Sequence, residues 1–306
     1  MKLSLVVTVK NEAKSVLPLL QSVEAQSELP DEIIIVDAGS TDQTVNLIKK
    51  FQARSKLNIK VFRKHGNRAV GRNFGIAKAT GRGIAVTDAG CILDENWFKL
   101  ITLPLNKVDV VAGFYHMTTD TLFTQCSALF VGVVSADAHK FLPSSRSIAF
   151  TKAAWAKIGG YPEHLDYAED LIFAQKLKTG MIFEPRAWVE WTPPQNMFAF
   201  FTAIKNYTLG NVNALYWPHL SKNFLVAIRY ILFAISIFAL PSLVTLSFIP
   251  IYFLYTTIKF RNHLHHPLAP NLLFVLQLTA DMAVIIALLQ GLYDSLVQTG
   301  IRSSRN

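Results

Sequence analysis

Residues 81–97 read GRGIAVTDAGCILDENW. Ile84, Ala85 and Val86 form a short apolar run between glycine signals, the pattern of a buried strand. The run ends in Asp88, after which the chain turns through Ala89 and Gly90. A carboxylate just past the C-terminal end of a strand stands where open α/β sheets bind their ligands. A loop-capping aspartate is the competing reading, and the segments upstream decide between the two.

Leu3–Val9 is a compact β-branched run that gives way to Lys10, Asn11 and Glu12, and then to a helical pattern through Val16, Leu17, Leu20 and Val23. Residues 31–36 repeat the device with Ile33, Ile34, Ile35 and Val36, apolar on both faces as a central parallel strand requires. Asp37 ends that strand. Ser40 with Gln43 three residues on is a capping-box signature, which predicts a helix beginning at Ser40 and carrying Val45, Leu47, Ile48 and Phe51. A third strand at residues 59–62 leads through the loop 65–73 to a helix bearing Phe74, Ile76 and Ala77, closed by Gly81. This alternation predicts βαβ units with right-handed crossovers, an α/β fold with a Rossmann-like, mostly parallel sheet. Three loops carrying Asn11, Asp37 and Asp88 then gather at one edge, and such convergence favours a nucleotide-type ligand.

The succession TVKNE (8–12), IIIVDAGSTDQT (33–44), GRNFGIAKATG (71–81) and TDAG (87–90) resembles family 2 glycosyltransferases of the GT-A fold, over roughly residues 3 to 100. The resemblance implies a nucleoside diphosphate sugar donor. Thr8, Asn11 and Glu12 would border the nucleotide and Asp37 would read its base. Arg72 and Asn73 would lie near the diphosphate, and Asp88 would reach the ribose and a metal. Ser40, Gly71, Ala89 and Gly90 complete the donor-binding set. A carboxylate suits base N–H groups or ribose hydroxyls, and a guanidinium suits phosphate oxygens. One departure stands out: relatives carry Asp-X-Asp where this chain has Asp88, Ala89 and Gly90. A divalent cation, Mg or Mn, is expected with Asp88 as its one carboxylate, since these ions take at least one carboxylate plus substrate phosphates; a loosely held metal, or none, stays open.

The chain has 306 residues, a net charge of +9 and 51% apolar residues, a content that predicts a membrane contribution. Residues 43–87 hold no acid but many bases, among them Lys60, Arg63, Arg68 and Arg72, most of them a solvated face. No recognised nucleic-acid module or base-reading basic helix occurs, so no nucleic-acid partner is expected. Cys91 and Cys126 are too few for a disulfide framework or a four-cysteine zinc site and read as reduced thiols. The apolar run at the amino end is too short for a signal peptide, so that end is expected to stay in the cytoplasm.

Further on, a strand is expected at residues 108–114 and an apolar helix at 122–134. The segment GGYPEHLDYAEDLIF (159–173) opens a helix through Phe173 and Leu177, with Asp166 and Glu169 as an N-cap pair. It also resembles the part of inverting relatives that carries the general base. Glu169 and Asp170 point about 100° apart on a helix, so a single base is expected, and Asp170 is the choice. Arg146 reads as a phosphate or acceptor contact, or equally as a structural ion pair. Trp188 and Trp191 read as core residues before sugar platforms. The Gln-X-X-Arg-Trp motif of processive relatives is absent, which argues against long-chain synthesis.

Residues 197–217 mix aromatics with Lys205 and suit a membrane interface. Residues 223–260 carry only Arg229 and Lys259 as charges, and splitting at Pro241 gives two pieces of about 18 residues that predict a tight spanning hairpin. Residues 271–293 are apolar but contain Asp281, which must face protein or water; interfacial and spanning placements both stay open. The domains expected are a GT-A domain at 1–215 and a membrane-anchoring helical region at 216–306. The function expected is inverting transfer of a sugar to a hydroxyl of a lipid-linked or cell-envelope glycan acceptor, at the cytoplasmic membrane with the catalytic domain in the cytoplasm. A nucleotidyltransferase-like enzyme and a catalytically silent membrane scaffold are the alternatives.

Overall fold

The computed structural model describes residues 1–132, 143–177, 180–239, 241–263 and 266–303. Two compact units are present: Met1–Thr118 with Ser135–Thr192, and Thr119–Val134 with Pro193–Asn306. The division falls near residue 193 rather than 215, and it draws a helix from the middle of the chain into the second unit.

The first unit opens with β1 (Leu3–Val9), α1 (Val16–Glu24), β2 (Glu32–Asp37), α2 (Thr44–Arg54), β3 (Ile59–Arg63), α3 (Arg68–Lys78) and β4 (Gly83–Asp88). It continues through β5 (Cys91–Leu93), α4 (Trp97–Thr102) and β6 (Val110–Met117); α5 (Leu122–Val131) belongs to the second unit. Then come β7 (Ile148–Thr151), α6 (Lys152–Lys157), α7 (Glu169–Leu177) and β8 (Met181–Trp191). Among the described residues the sheet has the order β3-β2-β1-β4-β7-β6-β8-β5. The first four strands pair in parallel, as the alternating sequence predicts. β7 runs antiparallel to both β4 and β6, which makes the whole sheet mixed. Because the chain moves outward from β1 to β2 and β3 and returns to β4 on the other side of β1, the carboxyl end of β1 is a topological switch point.

Register fixes which residues meet there. Thr8 is opposite Asp88, and Val9 is opposite Asp37. Side chains alternate along a strand, so Thr8 and Asp88 leave on the face covered by α3. That helix lies close because of two glycines. A Cβ at Gly71 would come within 2.9 Å of Thr8 Cγ2, and one at Gly75 within 2.7 Å of Val6 Cγ1.

Three local expectations are corrected. Ser40 does not cap α2: the helix starts at Thr44, where Asp42 Oδ1 accepts from the Thr44 N–H at 3.0 Å. Ser40 instead donates its N–H to Asp37 Oδ1 at 2.9 Å, closing a turn on the strand end. The helix bearing Phe74 begins at Arg68, capped by Asn67, whose Oδ1 accepts from Val70 N at 3.0 Å. Gly71, Arg72 and Asn73 are thus helical residues. Finally, Asp166 and Glu169 are not a capping pair, because α7 begins at Glu169 and Asp166 Oδ1 accepts from Asn67 Nδ2 at 3.1 Å.

A buried carboxylate ties the amino ends of the strands together. Glu32 accepts from Ser4 Oγ at 2.7 Å, from Thr80 N at 2.6 Å and from Lys60 Nζ at 2.6 Å. Desolvation pushes its pKa up, but the Lys60, Ser4 and Thr80 donors outweigh it and hold the carboxyl well below the usual range. Its folded pKa is below the unfolded value, so its contribution is complete above about pH 4.3 and is lost as pH falls through the folded value. Glu32→Gln is therefore expected to lower stability at pH 7 and to flatten the acid limb of a urea-midpoint titration below about pH 4.3; an unchanged acid limb would contradict this.

The second unit contains α5, α8 (Met197–Asn213), α9 (Trp217–Ala239), α10 (Ser242–Lys259) and α11 (Ala269–Ser303). The helix expected at 122–134 covers Leu122–Val131, and residues 133 and 134 lie outside the described residues. α5, α8 and α11 share a core of Cys126, Phe200, Leu273, Leu276 and Ala280. Pro241 separates α9 from α10 as expected, whereas Pro250 sits inside α10 without ending it. Trp217–Ala239 and Ala269–Val297 are long and apolar enough to cross a membrane.

Candidate active site

Two clusters flank the carboxyl end of β1. The first is built on α3. Arg72 is inside the first unit, its side chain 2% exposed, and it spans two carboxylates. Its Nη2 donates to Asp88 Oδ1 at 2.7 Å and its Nη1 to Glu169 Oε1 at 2.6 Å. The guanidinium lies over the Tyr161 ring, 5.3 Å from its centroid, and Tyr161 in turn stacks on Phe173 at 3.7 Å. Ser145 Oγ donates to the Tyr161 hydroxyl at 3.0 Å. Arg72 thus joins the end of β4 to the start of α7, with an aromatic floor beneath it.

Charge follows from this packing. Burial pushes the Asp88 pKa up, yet the positive charges of Arg72, then Arg146, then Arg68 hold the carboxyl below its ordinary value. Burial, followed by repulsion from Asp170, raises the Glu169 pKa against the pull of Arg72. Asp170 is next to this pair and is only partly covered. Its Oδ1 accepts from Leu171 N at 2.8 Å, and its Oδ2 has a long contact with Ser145 N at 3.5 Å. Cys91 lies close by, but burial pushes its thiol up to about 12, so it is no nucleophile at neutral pH.

The second cluster sits on the loops after β1 and β2. Asn11, at φ 57°, accepts from Thr41 N with its Oδ1 at 2.8 Å and donates its own N–H to Ser40 Oγ at 2.9 Å. Asp37 is buried, held by the Ser40 N–H, with Arg63 Nε 4.0 Å from its Oδ2. Glu12 turns to Ser15, and its N–H donates to Thr44 Oγ1 at 2.7 Å.

Of the residues picked from sequence, the structure brings Thr8, Arg72, Asp88, Glu169 and Asp170 into one group and Asn11, Asp37 and Ser40 into another. Asn73 goes elsewhere. Its Nδ2 donates to Tyr161 O at 2.8 Å and Glu163 Oε1 at 2.9 Å, and its Oδ1 accepts from Trp155 Nε1 at 3.0 Å and Tyr161 N at 2.9 Å. With four partners it pins the Gly159–Gly160 turn to α3 and has no capacity left for a phosphate. Gly160 has φ 75°, and a Cβ there would meet Asn73 Oδ1 at 2.7 Å, so only glycine fits. Arg72 is likewise committed, to carboxylates. Arg146 stacks on Trp191, 4.1 Å from the ring centroid, and Trp188 meets His116 edge-on at 4.9 Å, so both tryptophans pack against side chains. Tyr161, Ser145 and Asn67 were not foreseen, since nothing in their local sequence marks them.

The donor set at Asp88 fits a cation held by one carboxylate. Oδ1 is engaged by Arg72 while the side chain stays 30% exposed. Among the described residues no group of three or more His, Cys, Asp or Glu side chains offers a ready-made cage. Position 90 adds nothing, although a Cβ there would meet no atom within 4 Å.

Residues 4–127 match the family model described as glycosyl transferase family 2. This segment is a family 2 glycosyltransferase domain. The chain is 31% identical over 118 residues to an uncharacterized glycosyltransferase of Nostoc sp., a match that covers 38% of this chain and 37% of that protein. Over 193 residues the chain is 24% identical to the O-antigen chain rhamnosyltransferase RfbN of Salmonella typhimurium, covering 58% of this chain and 61% of that one. The chain thus spans between about a third and two thirds of the length of these curated relatives. Among solved structures, the mannosyltransferase PcManGT from Pyrobaculum calidifontis, in complex with GDP-Man and Mn2+, superposes with a TM-score of 0.65 at 16% identity. That match covers 96% of this chain and 87% of the other, and it shows a shared fold. The family 2 domain lies within a GT-A sheet, and its match ends within α5, well before Glu169 and Asp170.

Proposed function

We propose that the chain is a membrane-attached inverting glycosyltransferase that moves a sugar from a nucleoside diphosphate sugar to a hydroxyl of a lipid-linked or cell-envelope glycan acceptor. The observation that carries this is the Arg72 bridge from Asp88 to Glu169, which sets a carboxylate of the domain's TDAG turn beside the Asp170 pair of α7. The second cluster supports a nucleoside site, because Asp37 presents an acceptor oxygen suited to a base N–H. The GDP-Man and Mn2+ bound by PcManGT and the O-antigen chain substrate in the name of RfbN support the donor and acceptor classes.

In this reading Asp170 takes the proton of the acceptor hydroxyl as its oxygen attacks the anomeric carbon. The C–O bond to the diphosphate breaks on the opposite side, and a single displacement inverts configuration. Arg72 keeps Glu169 and Asp88 in place instead of touching phosphate. Arg68, exposed and close enough to bias Asp88, supplies positive charge on the diphosphate side. A divalent cation held by Asp88 and the diphosphate oxygens would neutralise charge on the leaving group. Attachment falls to the helical unit, whose α9 and α10 expose Ile231, Leu232, Phe238, Leu246 and Ile249.

A screen of nucleoside diphosphate sugars against the purified protein, with and without Mn2+, tests the reading. Binding of one donor that is lost in Asp88→Ala is expected. Failure of every donor, with Asp88→Ala behaving as the parent does, would sink the enzymatic reading. Gly90→Asp is expected to tighten Mn2+ binding in the presence of the donor diphosphate by about tenfold or more, since an added carboxylate finds open space. Mn2+ titration by electron paramagnetic resonance reads this directly, and unchanged affinity would place the cation away from the TDAG turn.

A further inference from the structure

We infer that the α9–α10 hairpin enters a single leaflet of the bilayer and does not cross it, with Arg229, Tyr230, Tyr252 and Asp281 lying at the level of the lipid headgroups. This rests on the membrane attachment proposed above and specifies its depth. The two helices run antiparallel and close: Thr245 Oγ1 donates to Ser236 O at 3.0 Å, and Phe233 meets Phe248 edge-on at 6.1 Å. Among the described residues the hairpin's other packing lies towards its base, where Tyr252 and Phe253 meet Phe274 of α11. Ile231, Ile235, Phe238, Val244 and Ile251 are exposed, Phe238 to 91%, so the outer half is an apolar prong.

The prong has a polar base. Asp281 of α11, 1% exposed, pairs with Arg229 of α9 at 2.7 Å and accepts from Tyr230 at 3.0 Å, from Tyr252 of α10, and from Gln277 at 2.9 Å. Arg229 also lies over the Tyr252 ring, 4.6 Å from its centroid, and its side chain remains 37% exposed. Residues 230–239 and 242–251 are about ten each, so the prong reaches about 15 Å beyond this layer. The hydrocarbon core of a bilayer is about 30 Å thick.

Length and charge then decide the depth. If the hairpin crossed the bilayer, its turn would lie at the far surface and the layer would lie near the midplane. An arginine whose side chain is 37% exposed would be held there against lipid, in a position costly for arginine. Entry into one leaflet puts the turn near the midplane and the layer at the interface, where tyrosines are favoured and Arg229 meets lipid phosphate. Lys222 and Arg261, both exposed, then lie on the aqueous side of the layer, available to anionic headgroups, while Lys259 donates to Gln277 Oε1 at 2.9 Å. The Gln277–Asp281 turn of α11 lies at the same level, which favours the interfacial placement of that stretch.

The test is a depth measurement on the full chain carrying Cys91→Ala and Cys126→Ala. Phe238→Cys is labelled with an environment-sensitive fluorophore and bound from outside to vesicles of phosphatidylethanolamine and phosphatidylglycerol. Lipids spin-labelled near the chain end are expected to quench it more than lipids labelled near the headgroup. Ile235→Cys, a second exposed position, should report a depth shallower by about 4–5 Å. A thiol reagent sealed inside the vesicles should leave Phe238→Cys unmodified. Reaction with that reagent, or strongest quenching by headgroup labels, would establish a crossing hairpin and overturn the inference. A water-like fluorophore on vesicle-bound protein would overturn it too, by placing the contact elsewhere. Failure of the protein to bind vesicles at all would instead remove the membrane attachment itself.

Discussion

Arg72→Met is expected to lower turnover at least about a hundredfold, the scale of removing a preorganised charge from an active site. It is also expected to cost about 3–5 kcal/mol of stability, because truncation leaves charges buried without a partner. Arg72 is shared by two carboxylates, so the loss falls on both ends of the site at once. Asp88 loses its largest opposing charge, and its desolvation then goes less opposed. Its pKa must rise, so the acid limb of the pH–activity profile should move to higher pH in any residual activity. Glu169 loses its counter-ion as well, and the Asp170 charge then drives it further towards the neutral form. Adding Glu169→Gln to Arg72→Met removes one of the two unpaired charges. Urea unfolding should therefore show part of the stability restored, while turnover stays low because Asp88 is still unsupported. Parental turnover in Arg72→Met, or full recovery in the double variant, would show that the bridge is not part of the catalytic arrangement.

The Asp88 strand is readable from sequence because its determinants are local: an apolar run, glycines on either side and a polar turn. The same holds for β1, β2 and the helices after them, whose periodicity follows from burial against a common sheet. The antiparallel entry of β7 is not readable, since Ile148–Thr151 looks like any short apolar run and its direction depends on a connection through the second unit. Asn73 shows the limit at the site. Its family position beside Arg72 points to the diphosphate, yet its four hydrogen bonds run to Trp155, Tyr161 and Glu163, 82–90 residues further along the chain. Ser40 shows a different failure. A capping box and a turn on a strand-end aspartate use the same serine and the same spacing, and here the buried Asp37 carboxylate needed the N–H more than the helix did. Arg72 reads from sequence as a diphosphate contact, whereas in the fold it bridges two carboxylates, one of them Glu169, which only the folded chain brings to it.

Asp170→Asn is expected to lower kcat by about a hundredfold to ten-thousandfold, the range for losing a positioned base. Donor affinity should stay within about twofold. The choice between the adjacent carboxylates follows from what each is already doing. Glu169 is buried and gives an oxygen to Arg72 at 2.6 Å, and removing it from that contact would strand the guanidinium. Among the described residues the Asp170 Oδ2, by contrast, has a 3.5 Å contact with Ser145 N, at the edge of hydrogen-bond range, which leaves it able to receive a proton. Asparagine keeps the shape and the Leu171 contact but cannot accept that proton, so a loss confined to kcat would identify the base. Glu169→Gln supplies the contrast. Its amide oxygen can still accept from Arg72, so kcat should fall far less, while stability drops because the buried guanidinium loses a full counter-charge. If Glu169→Gln abolished turnover and Asp170→Asn kept it, the roles would be reversed, and the Arg72 contact would have to be read as a resting state that the donor opens.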